Sequence, residues 1–268
     1  MTSWDKIGDW HNVSAQVLGL VRSAGEAILA IVAESSALDV QLKSDHTPVT
    51  RADQAAHQIL WDGLSSLTPS ISVISEEDEC SHALLGQQDC FWLIDPLDGT
   101  RELLAGRAEY TVNVALVHAG LVRYGWVGVP MTQCVYHGGS GSGAWRVDMD
   151  HVEQILQVAP WPCQSPRVVI SVSHQDAETE RWLAALGAYT KVPVGSSLKF
   201  CHVAQGTADL YPRMQRLCAW DIAAGQAVLE GAGGAVLDLQ GQALTYSNSD
   251  ICMPYFIAAS IPWPKLSR

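Results

Sequence analysis

The sequence predicts an α/β protein whose N-terminal half is α+β, and two patterns carry that prediction. In the first half, two helical patterns are followed by apolar segments with the punctuation of a β-meander. Beyond about residue 148, apolar segments of helical and of strand character are interspersed along the chain. We therefore expect an α+β half over residues 1–150 and an α/β half over residues 151–268.

Two helices are predicted in the first half. Apolar residues recur at helical spacing over residues 13–33, and Arg22 and Glu26 interrupt that stretch. The pattern therefore predicts an amphipathic core helix, and no transmembrane segment is expected. Thr50-Arg-Ala-Asp53 has the pattern of a capping box, which places the start of a second helix there.

Short apolar runs supply the predicted strands of the first half, and Ala119-Gly120 and Pro130 separate those of the meander. The predicted strands cover residues 71–74, 91–94, 110–118, 121–129 and 133–136. Gly138-Gly-Ser-Gly-Ser-Gly143 is predicted to be a flexible loop. It is not a phosphate-binding P-loop, because no Gly-Lys-Ser/Thr follows it.

In the second half, glycines mark predicted helix ends at Gly206 and at Gly231-Ala-Gly233. The predicted helices cover residues 177–186, 197–204 and 221–230. The predicted strands cover residues 168–172, 208–211 and 234–239. Helices and strands mixed in this way indicate α/β organisation.

Composition restricts the partners of the chain. Its 268 residues are 48% hydrophobic, which is enough for a sizeable core. The formal net charge is -12, so the chain lacks the basic footprint that a nucleic-acid polymer requires. If the substrate is a small anion, an acidic protein needs metal ions or a few well-placed Lys and Arg residues to bind it.

Cysteine usage and the N-terminus indicate a cytoplasmic protein. Seven cysteines are present, an odd number, and none forms a C-x-x-C pair, which favours free thiols in a reducing compartment. Residues 1–12 carry Asp5 and Asp9 and lack the apolar stretch of a signal peptide. Two questions stay open. The protein could associate peripherally with the inner face of the membrane, and it could be a monomer or a homodimer.

Acidic residues stand at three predicted element boundaries. Ser75-Glu-Glu-Asp78 and Asp95-Pro-Leu-Asp98 each follow a strand, and Asp221 opens a late helix. Carboxylates gathered in this way suit Mg²⁺, which prefers oxygen ligands. Pro96 stiffens the turn so that both aspartates and the Leu97 carbonyl converge. Gly99, which follows, allows a phosphate to approach the backbone closely. A helix that starts there would present its N–H groups to the anion.

Each acidic group alone also has a plainer interpretation. Asp53 alone is a helix-capping acid, residues 76–79 alone are a solvated charge run, and Asp98-Gly99 alone is a common turn. The combination indicates a metal site. The absence of His and Cys from the acidic set argues against Zn²⁺.

These motifs resemble those of the inositol monophosphatase superfamily of Mg²⁺-dependent, lithium-sensitive phosphatases. The signatures are Asp95-Pro-Leu-Asp98-Gly-Thr100 and Trp220-Asp-Ile-Ala-Ala-Gly225, and the resemblance covers nearly the whole chain. Gly195-Ser-Ser-Leu-Lys-Phe-Cys201 and Leu210-Tyr-Pro-Arg213 resemble the branch of bacterial 3'(2'),5'-bisphosphate nucleotidases. The resemblance implies a layered α/β/α/β/α sandwich of the inositol monophosphatase and fructose-1,6-bisphosphatase type, with its metal site at the seam between the halves.

The resemblance also implies roles for individual residues. Two or three Mg²⁺ ions would be held by Glu76, Asp95, the carbonyl of Leu97, Asp98 and Asp221. Asp53 and Thr100 would form a dyad that activates water, and Glu77 would hold the same or a neighbouring water. The first half would thus carry most ligands and the dyad, and the second half substrate recognition and Asp221.

On the substrate side the resemblance implies a further set of contacts: Gly99, Thr100, Arg101, Ser173, His174, Ser197, Lys199, Arg213 and Asp221. The chain departs from the family at two places. Relatives often carry Lys where Arg101 stands, and Met214-Gln-Arg216 replaces a stretch richer in Gly and Pro. The second departure bears on recognition of the base.

The implied activity is hydrolysis of the 3'-phosphate of adenosine 3',5'-bisphosphate to AMP and phosphate, in sulfur metabolism and nucleotide recycling. Use of the sulfated nucleotide stays open. One alternative is an inositol or sugar phosphatase of the same superfamily. Another is a phosphate-binding protein without catalysis, which the complete set of acidic residues disfavours.

Overall fold

Two β-sheets with helices on their faces form the fold, which a computed structural model describes over residues 9–34, 41–42, 48–161, 165–172 and 176–260. The helices are α1 (Trp10–Ala33), α2 (Arg51–Leu67), α3 (Glu79–His82), α4 (Thr100–Leu104), α5 (Ala177–Leu186), α6 (Leu198–Ala204) and α7 (Ala219–Gly231). The strands are β1 (Gln41–Leu42), β2 (Pro48–Val49), β3 (Ser72–Ser75), β4 (Cys90–Asp98), β5 (Thr111–His118), β6 (Leu121–Val129), β7 (Cys134–Gly139), β8 (Gly143–Val147), β9 (Glu153–Ile155), β10 (Arg167–Ser171), β11 (Thr190–Val194), β12 (Leu210–Arg213), β13 (Gly234–Asp238) and β14 (Phe256–Ser260).

The larger sheet has seven strands in chain order, from β3 to β9. β3 and β4 are parallel, and every later pair is antiparallel. The smaller sheet has the order β11-β10-β12-β14-β13. Its first three strands are parallel, and β14 runs antiparallel to both of its neighbours. β1 and β2 form a separate antiparallel pair.

Strand β4 shows why both faces of the larger sheet are covered. Trp92 and Ile94 pack into a core cluster shared with α1 and α2, whereas Phe91 and Leu93 pack into a second cluster shared with α7. Side chains alternate between the faces of a strand, so an unbroken apolar run such as this one must be buried on both sides.

The elements stack in five layers. α1 and α2 cover the outer face of the larger sheet, and α6 and α7 lie between the two sheets. α5 covers the far face of the smaller sheet, where Leu183 packs with Val168 and Leu210. This arrangement confirms the predicted α/β/α/β/α sandwich.

α7 lies unusually close to the larger sheet because small residues face each other there. A Cβ atom at Gly125 of β6 would lie 2.4 Å from the carbonyl oxygen of Ala224. Close packing at this point fixes the position of α7, whose residues are apolar on all sides and mostly buried. The helix carries Asp221 in its first turn.

α1 is long and apolar enough to cross a membrane by length and composition alone. Core helices pass the same test. Val13, Val17, Val21 and Ile28 form a buried stripe that packs against α2 and the larger sheet. The stripe is the amphipathic pattern that predicted a core helix.

Three predictions about elements were wrong. The Gly/Ser stretch at residues 138–143 is not a flexible loop, because Gly139 pairs with Gly143 across a tight β7–β8 turn. β4 does not end at Ile94 but continues to Asp98. Strands β1, β2, β8, β9, β11 and β14 and the short helix α3 were not predicted. The remaining predicted helices and strands lie within a few residues of their predicted bounds.

Candidate active site

An irregularity in β4 brings two of the predicted ligands to one face of the sheet. Asp95 lies opposite Asn113 of β5, and Asp98 lies opposite Thr111. Three steps along β4 thus match two steps along β5, so β4 carries one extra residue, a β-bulge. Asn113 and Thr111 share a face because side chains alternate. Asp95 and Asp98 therefore share it too, and Leu97 turns into the α1 and α2 cluster.

Three carboxylates from separate elements meet on that face. Oxygen atoms of Glu76, Asp95 and Asp221 all lie within 4.8 Å of one another. Glu76 follows β3, and its N–H group donates to the carbonyl of Ile94. Asp221 belongs to the first turn of α7, and its Oδ2 accepts from the N–H group of Cys218 at 2.8 Å. The described cluster thus joins the larger sheet to the helix between the sheets.

The carboxylates are buried close to one another, and their pKa values rise. Burial raises the pKa of Asp95 well above its usual value, and the charges of Glu76, Asp98 and Asp221 raise it further. Burial, Asp98 and Glu76 likewise hold the pKa of Asp221 well above its usual value. The pKa of Asp98 rises to about 6, mainly through burial and against the opposing charge of Lys199. A bound cation would remove this repulsion.

Asp95 gives the most direct indication that a cation binds in the cluster. The residue is 1% exposed, and its Oδ2 has no hydrogen-bond partner among the described residues. Its Oδ1 accepts from the N–H group of Leu97 at 3.1 Å. A buried carboxylate oxygen without a partner is costly, and a metal ion is one group that can satisfy it.

Asp53 and Thr100 lie next to this cluster and contact each other. The Thr100 hydroxyl donates to Asp53 Oδ1 at 3.1 Å and approaches the Leu97 carbonyl at 3.3 Å. Asp53 Oδ2 accepts from the N–H and hydroxyl groups of Thr50 at 2.7 and 2.6 Å. Asp53 is therefore both a helix cap and a partner of Thr100. Burial raises its pKa, against these hydrogen bonds.

Gly99 joins β4 to α4 in a conformation that requires glycine. Its φ is 95°, in the left-handed region, and a Cβ atom there would lie 3.2 Å from the Glu109 carbonyl oxygen. The residue is the N-cap of α4, so a helix starts where the sequence predicted one. Thr100 is the first residue of that helix.

Ser197 and Lys199 come from the segment that starts α6. The N–H group of Ser197 donates to Asp98 Oδ2, and its hydroxyl donates to Asn113 Oδ1 at 2.7 Å. Lys199 is 6% exposed, and its Nζ lies 3.4 Å from the carbonyl of Val194. Burial lowers the pKa of Lys199 to about 8, although the Asp98 charge raises it.

A cavity of about 300 Å³ opens above these groups. The predicted residues that line it are Glu76, Asp95, Leu97, Asp98, Gly99, Thr100, Arg101, Ser197, Lys199, Arg213 and Asp221. Asp53 and Glu77 are not part of the lining: Asp53 stands behind Thr100, and the Glu77 N–H group donates to Ser75 Oγ at 3.2 Å. Ser173 and His174 lie outside the described residues.

Several lining residues were not singled out by the sequence. They are Glu102, Ser171, Ser196, Phe200, Tyr211, Gln215, Arg216 and Leu217. Ser196, Phe200 and Tyr211 belong to the family motifs at residues 195–201 and 210–213, and Gln215 and Arg216 belong to the divergent stretch at residues 214–216. Neighbours of motif residues were therefore a usable signal. Thr111 and Asn113 were not predicted as site residues either, because their contacts with Ser197 depend on the pairing of β4 with β5.

The fold is a layered α/β sandwich, and its carboxylates are gathered between the larger sheet and the start of α7. Such a fold and site are typical of a metal-dependent phosphatase, and comparison with known proteins identifies the family. The chain belongs to the inositol monophosphatase family, whose model matches residues 9–260. The 3'(2'),5'-bisphosphate nucleotidase CysQ of Shigella flexneri is 43% identical over 232 residues, which cover 87% of this chain and 93% of that protein.

Two further relatives agree with this assignment. The 3'(2'),5'-bisphosphate nucleotidase CysQ of Buchnera aphidicola is 35% identical over 240 residues, which cover 90% of this chain and 89% of that protein. The crystal structure of CysQ from Bacteroides thetaiotaomicron, a bacterial member of the inositol monophosphatase family, matches with a TM-score of 0.83 at 31% identity. The match covers 94% of this chain and 98% of that one.

Proposed function

We propose that the chain is a 3'(2'),5'-bisphosphate nucleotidase, a phosphomonoesterase that converts adenosine 3',5'-bisphosphate to AMP and phosphate. The observation that carries the proposal is a single cavity with carboxylates at one end and basic side chains beside them. The similarity to proteins named as bisphosphate nucleotidases over most of the chain selects the substrate.

Mg²⁺ is the proposed metal, as two or three ions. Glu76, Asp95, Asp98, Asp221 and the Leu97 carbonyl would hold it, and these oxygen donors suit a hard cation. The partnerless Oδ2 of Asp95 and the raised pKa values of the carboxylates support a bound cation. When bound, Mg²⁺ neutralises phosphate charge and lowers the pKa of a water molecule. Inhibition by lithium is part of the same proposal.

Asp53 and Thr100 are the proposed proton-handling pair. Because the Thr100 hydroxyl donates its proton to Asp53, its oxygen is free to accept a hydrogen bond from the attacking water. Burial, which raises the pKa of Asp53, makes that carboxylate a better proton acceptor. Glu77 would orient a neighbouring water from outside the cavity lining.

The second phosphate of the substrate needs positive charge, and two buried basic residues supply it. Lys199 and Arg213 are each 6% exposed and line the cavity. Arg213 donates to Gln215 through one terminal nitrogen at 2.9 Å, while its Nε has no partner among the described residues. Ammonium and guanidinium groups form strong, charge-assisted hydrogen bonds with phosphate. Arg101, Ser173, His174 and Ser197 are further proposed contacts, and Gly99, Thr100 and Asp221 would border the reacting phosphate.

We place the enzyme in the cytoplasm, in sulfur metabolism. The six described cysteines outside residues 162–164 are free thiols, as a reducing compartment favours. The proposed small-molecule partner is the nucleotide substrate.

Turnover of a panel of phosphomonoesters with Mg²⁺ tests the proposal. Adenosine 3',5'-bisphosphate should be hydrolysed with a higher kcat/KM than inositol 1-phosphate or a sugar phosphate, and a chelator should abolish the activity. Preference for inositol 1-phosphate would instead favour the alternative function within the family. Absence of turnover on every substrate would favour a binding protein.

A lysine variant tests how the substrate is recognised. Lys199→Met should raise KM for adenosine 3',5'-bisphosphate by roughly 10- to 150-fold, the effect of losing one charge-assisted contact. The matched control is Lys191→Met, because Lys191 is exposed and pairs with Glu180. Equal losses toward a sugar phosphate would mean that Lys199 serves the reacting phosphate or the fold.

A further inference from the structure

Two cysteines face each other beside the carboxylate cluster. Cys218 and Cys252 form an antiparallel bridge between the segment that starts α7 and the segment that leads into β14. Both are free thiols of intermediate exposure. Burial raises the pKa of the Cys218 thiol, so Cys252 is the sulfur expected to attack first. The proposed phosphatase chemistry uses neither of them.

The hydrogen bonds around the bridge define its geometry. The Ala219 N–H group donates to the Ile251 carbonyl at 2.8 Å, and the Met253 N–H group donates to the Leu217 carbonyl at 2.8 Å. Cys218 and Cys252 are therefore the pair between these bonds, a non-hydrogen-bonded antiparallel pair. In such a pair the Cα atoms lie about 4.5 Å apart and the two side chains project from the same face. Disulfides span Cα separations of about 4.4–6.8 Å.

Cys218 is coupled directly to the cluster. Its N–H group donates to Asp221 Oδ2 at 2.8 Å and so orients that carboxylate. Leu217, its neighbour, lines the cavity, and so does Arg216, which donates to the Cys252 carbonyl at 2.7 Å. A change in the spacing of the two segments would therefore alter the position of the Asp221 carboxylate.

We propose that Cys218 and Cys252 are a modification site at which a low-molecular-weight disulfide such as oxidised glutathione forms an intramolecular disulfide that weakens metal binding. In the first step one cysteine sulfur attacks the reagent, and one thiol leaves. In the second the other cysteine attacks the mixed disulfide, and a second thiol leaves. The two cysteines lose two electrons and two protons in total, and the reagent gains them. The effect on metal rests on the proposed function.

The bond should weaken metal binding through its effect on strand spacing. Disulfides favour a Cα separation of about 5.5–6 Å, wider than the roughly 4.5 Å of an unlinked pair of this kind. Widening the bridge would shift the helix start that carries both the Cys218 N–H group and Asp221, and with it the position of that carboxylate relative to Glu76 and Asp95. Disturbing the groups that position a metal ligand lowers metal affinity by roughly 10- to 100-fold.

The test uses reduced, metal-free protein treated with oxidised glutathione. Cleavage after Arg216 and after Glu230 places Cys218 and Cys252 on separate peptides and leaves Cys201 on neither, so a bridged protein yields a linked peptide pair that a reducing agent splits, detected by mass spectrometry. Calorimetric titration then compares Mg²⁺ binding by the oxidised and reduced forms. Cys252→Ser should bind Mg²⁺ normally and be insensitive to the reagent, whereas Cys80→Ser, which removes another exposed cysteine, should respond like the unmodified sequence.

The expected result is the linked peptide together with weaker Mg²⁺ binding that a reducing agent restores. The proposal is overturned if no peptide joins Cys218 to Cys252, if the bridged protein binds Mg²⁺ as tightly as the reduced one, or if the reduced protein binds none. Turnover of adenosine 3',5'-bisphosphate by the reduced protein is measured separately. A reversible loss of Mg²⁺ affinity without turnover would uphold this site and contradict the nucleotidase.

Discussion

At the scale of single residues, the surroundings of Asp95 favour a bound cation. Asp95 is nearly inaccessible to solvent, and three other acidic side chains raise its pKa together with burial. Its Oδ2 accepts no hydrogen bond from the described residues. A protein without metal tolerates this arrangement only by keeping protons on the cluster, so metal and protons should compete for the same oxygen atoms.

We expect Asp95→Asn to abolish both turnover and stabilisation by Mg²⁺. The unmodified protein should gain about 2.7 kcal/mol in its free energy of unfolding at a Mg²⁺ concentration one hundred times Kd. Urea unfolding with and without Mg²⁺ measures this gain. Asp62→Asn, at an exposed carboxylate that accepts from Gln58, should keep the full gain. A normal gain in Asp95→Asn would show that the metal binds elsewhere.

Thr100→Ala should lower kcat by roughly 10²- to 10⁴-fold, the usual effect of losing assistance in proton transfer. Thr100→Ser keeps the hydroxyl and should keep most of the activity. Steady-state kinetics provides the measurement, and an unchanged stabilisation by Mg²⁺ would separate the effect from metal loss.

Asp53→Asn should lower kcat by a similar factor and also destabilise the protein by roughly 0.5–2 kcal/mol, because Asp53 caps α2 as well. Kinetics and urea unfolding on the same preparation give both values. If the protein lost stability but kept its kcat, capping would be the only function of Asp53.

At the scale of elements, periodicity predicted what is locally encoded. α5 occupies the predicted residues 177–186, because its apolar spacing and acidic first turn need no tertiary context. β9 was missed because it is three residues long and contains one apolar residue, Ile155, which is too little for an alternating pattern; all three residues are exposed. β11 contains Pro193, which normally argues against a strand, and it is tolerated because β11 is at the edge of its sheet.

The close approach of α7 to β6 gives a test at this scale. Gly125→Ala should reduce the free energy of unfolding by about 1–3 kcal/mol or more, because the added Cβ would meet the Ala224 carbonyl at 2.4 Å. The control is Gly19→Ala in α1, where nothing lies within 4 Å of the new atom. That substitution should stabilise by roughly 0.5–1 kcal/mol. Similar values for the two variants would mean that α7 shifts freely.

At the scale of the whole molecule, the candidate site belongs to no single half. The motif at residues 95–100 and Asp221 could be recognised from the sequence, and so could the hard-cation chemistry of their oxygen atoms. Thr111 and Asn113, which hold Ser197, lie in a stretch that resembles the family, but they were given no role, since that role appears only when β4 and β5 pair. Leu217 likewise reaches the cavity only through tertiary folding, whereas Arg216 belongs to the stretch at residues 214–216 that the sequence related to recognition of the base.

Two buried groups with shifted pKa values, Asp98 and His137, give a prediction about how stability depends on pH. The pKa of Asp98 rises from 3.8 to about 6, so the metal-free folded state holds a proton there that the unfolded state releases. This contribution to stability is lost as pH rises from about 4 to about 6. Burial lowers the pKa of His137 from 6.5 to about 4, which acts in the opposite sense over nearly the same range.

The contribution of His137 to stability is present in both the unmodified protein and Asp98→Asn, so it cancels in the difference between their free energies of unfolding. Asp98→Asn lacks the titrating group, so its stability relative to the unmodified protein should increase as pH rises through that range in chelator. Urea unfolding at several pH values measures the difference. A difference that is constant with pH would contradict the raised pKa of Asp98.

The bulge in β4 allows two residues that are three positions apart to share one face of the sheet. In a regular ladder side chains alternate strictly, so Asp95 and Asp98 at their present spacing would face opposite sides. One of the two carboxylates would then point into the apolar cluster of α1 and α2, where Leu97 now lies. The site therefore depends on the extra residue of β4 as well as on the identity of its ligands. A strand that paired without the bulge would keep every carboxylate and still lose the cluster.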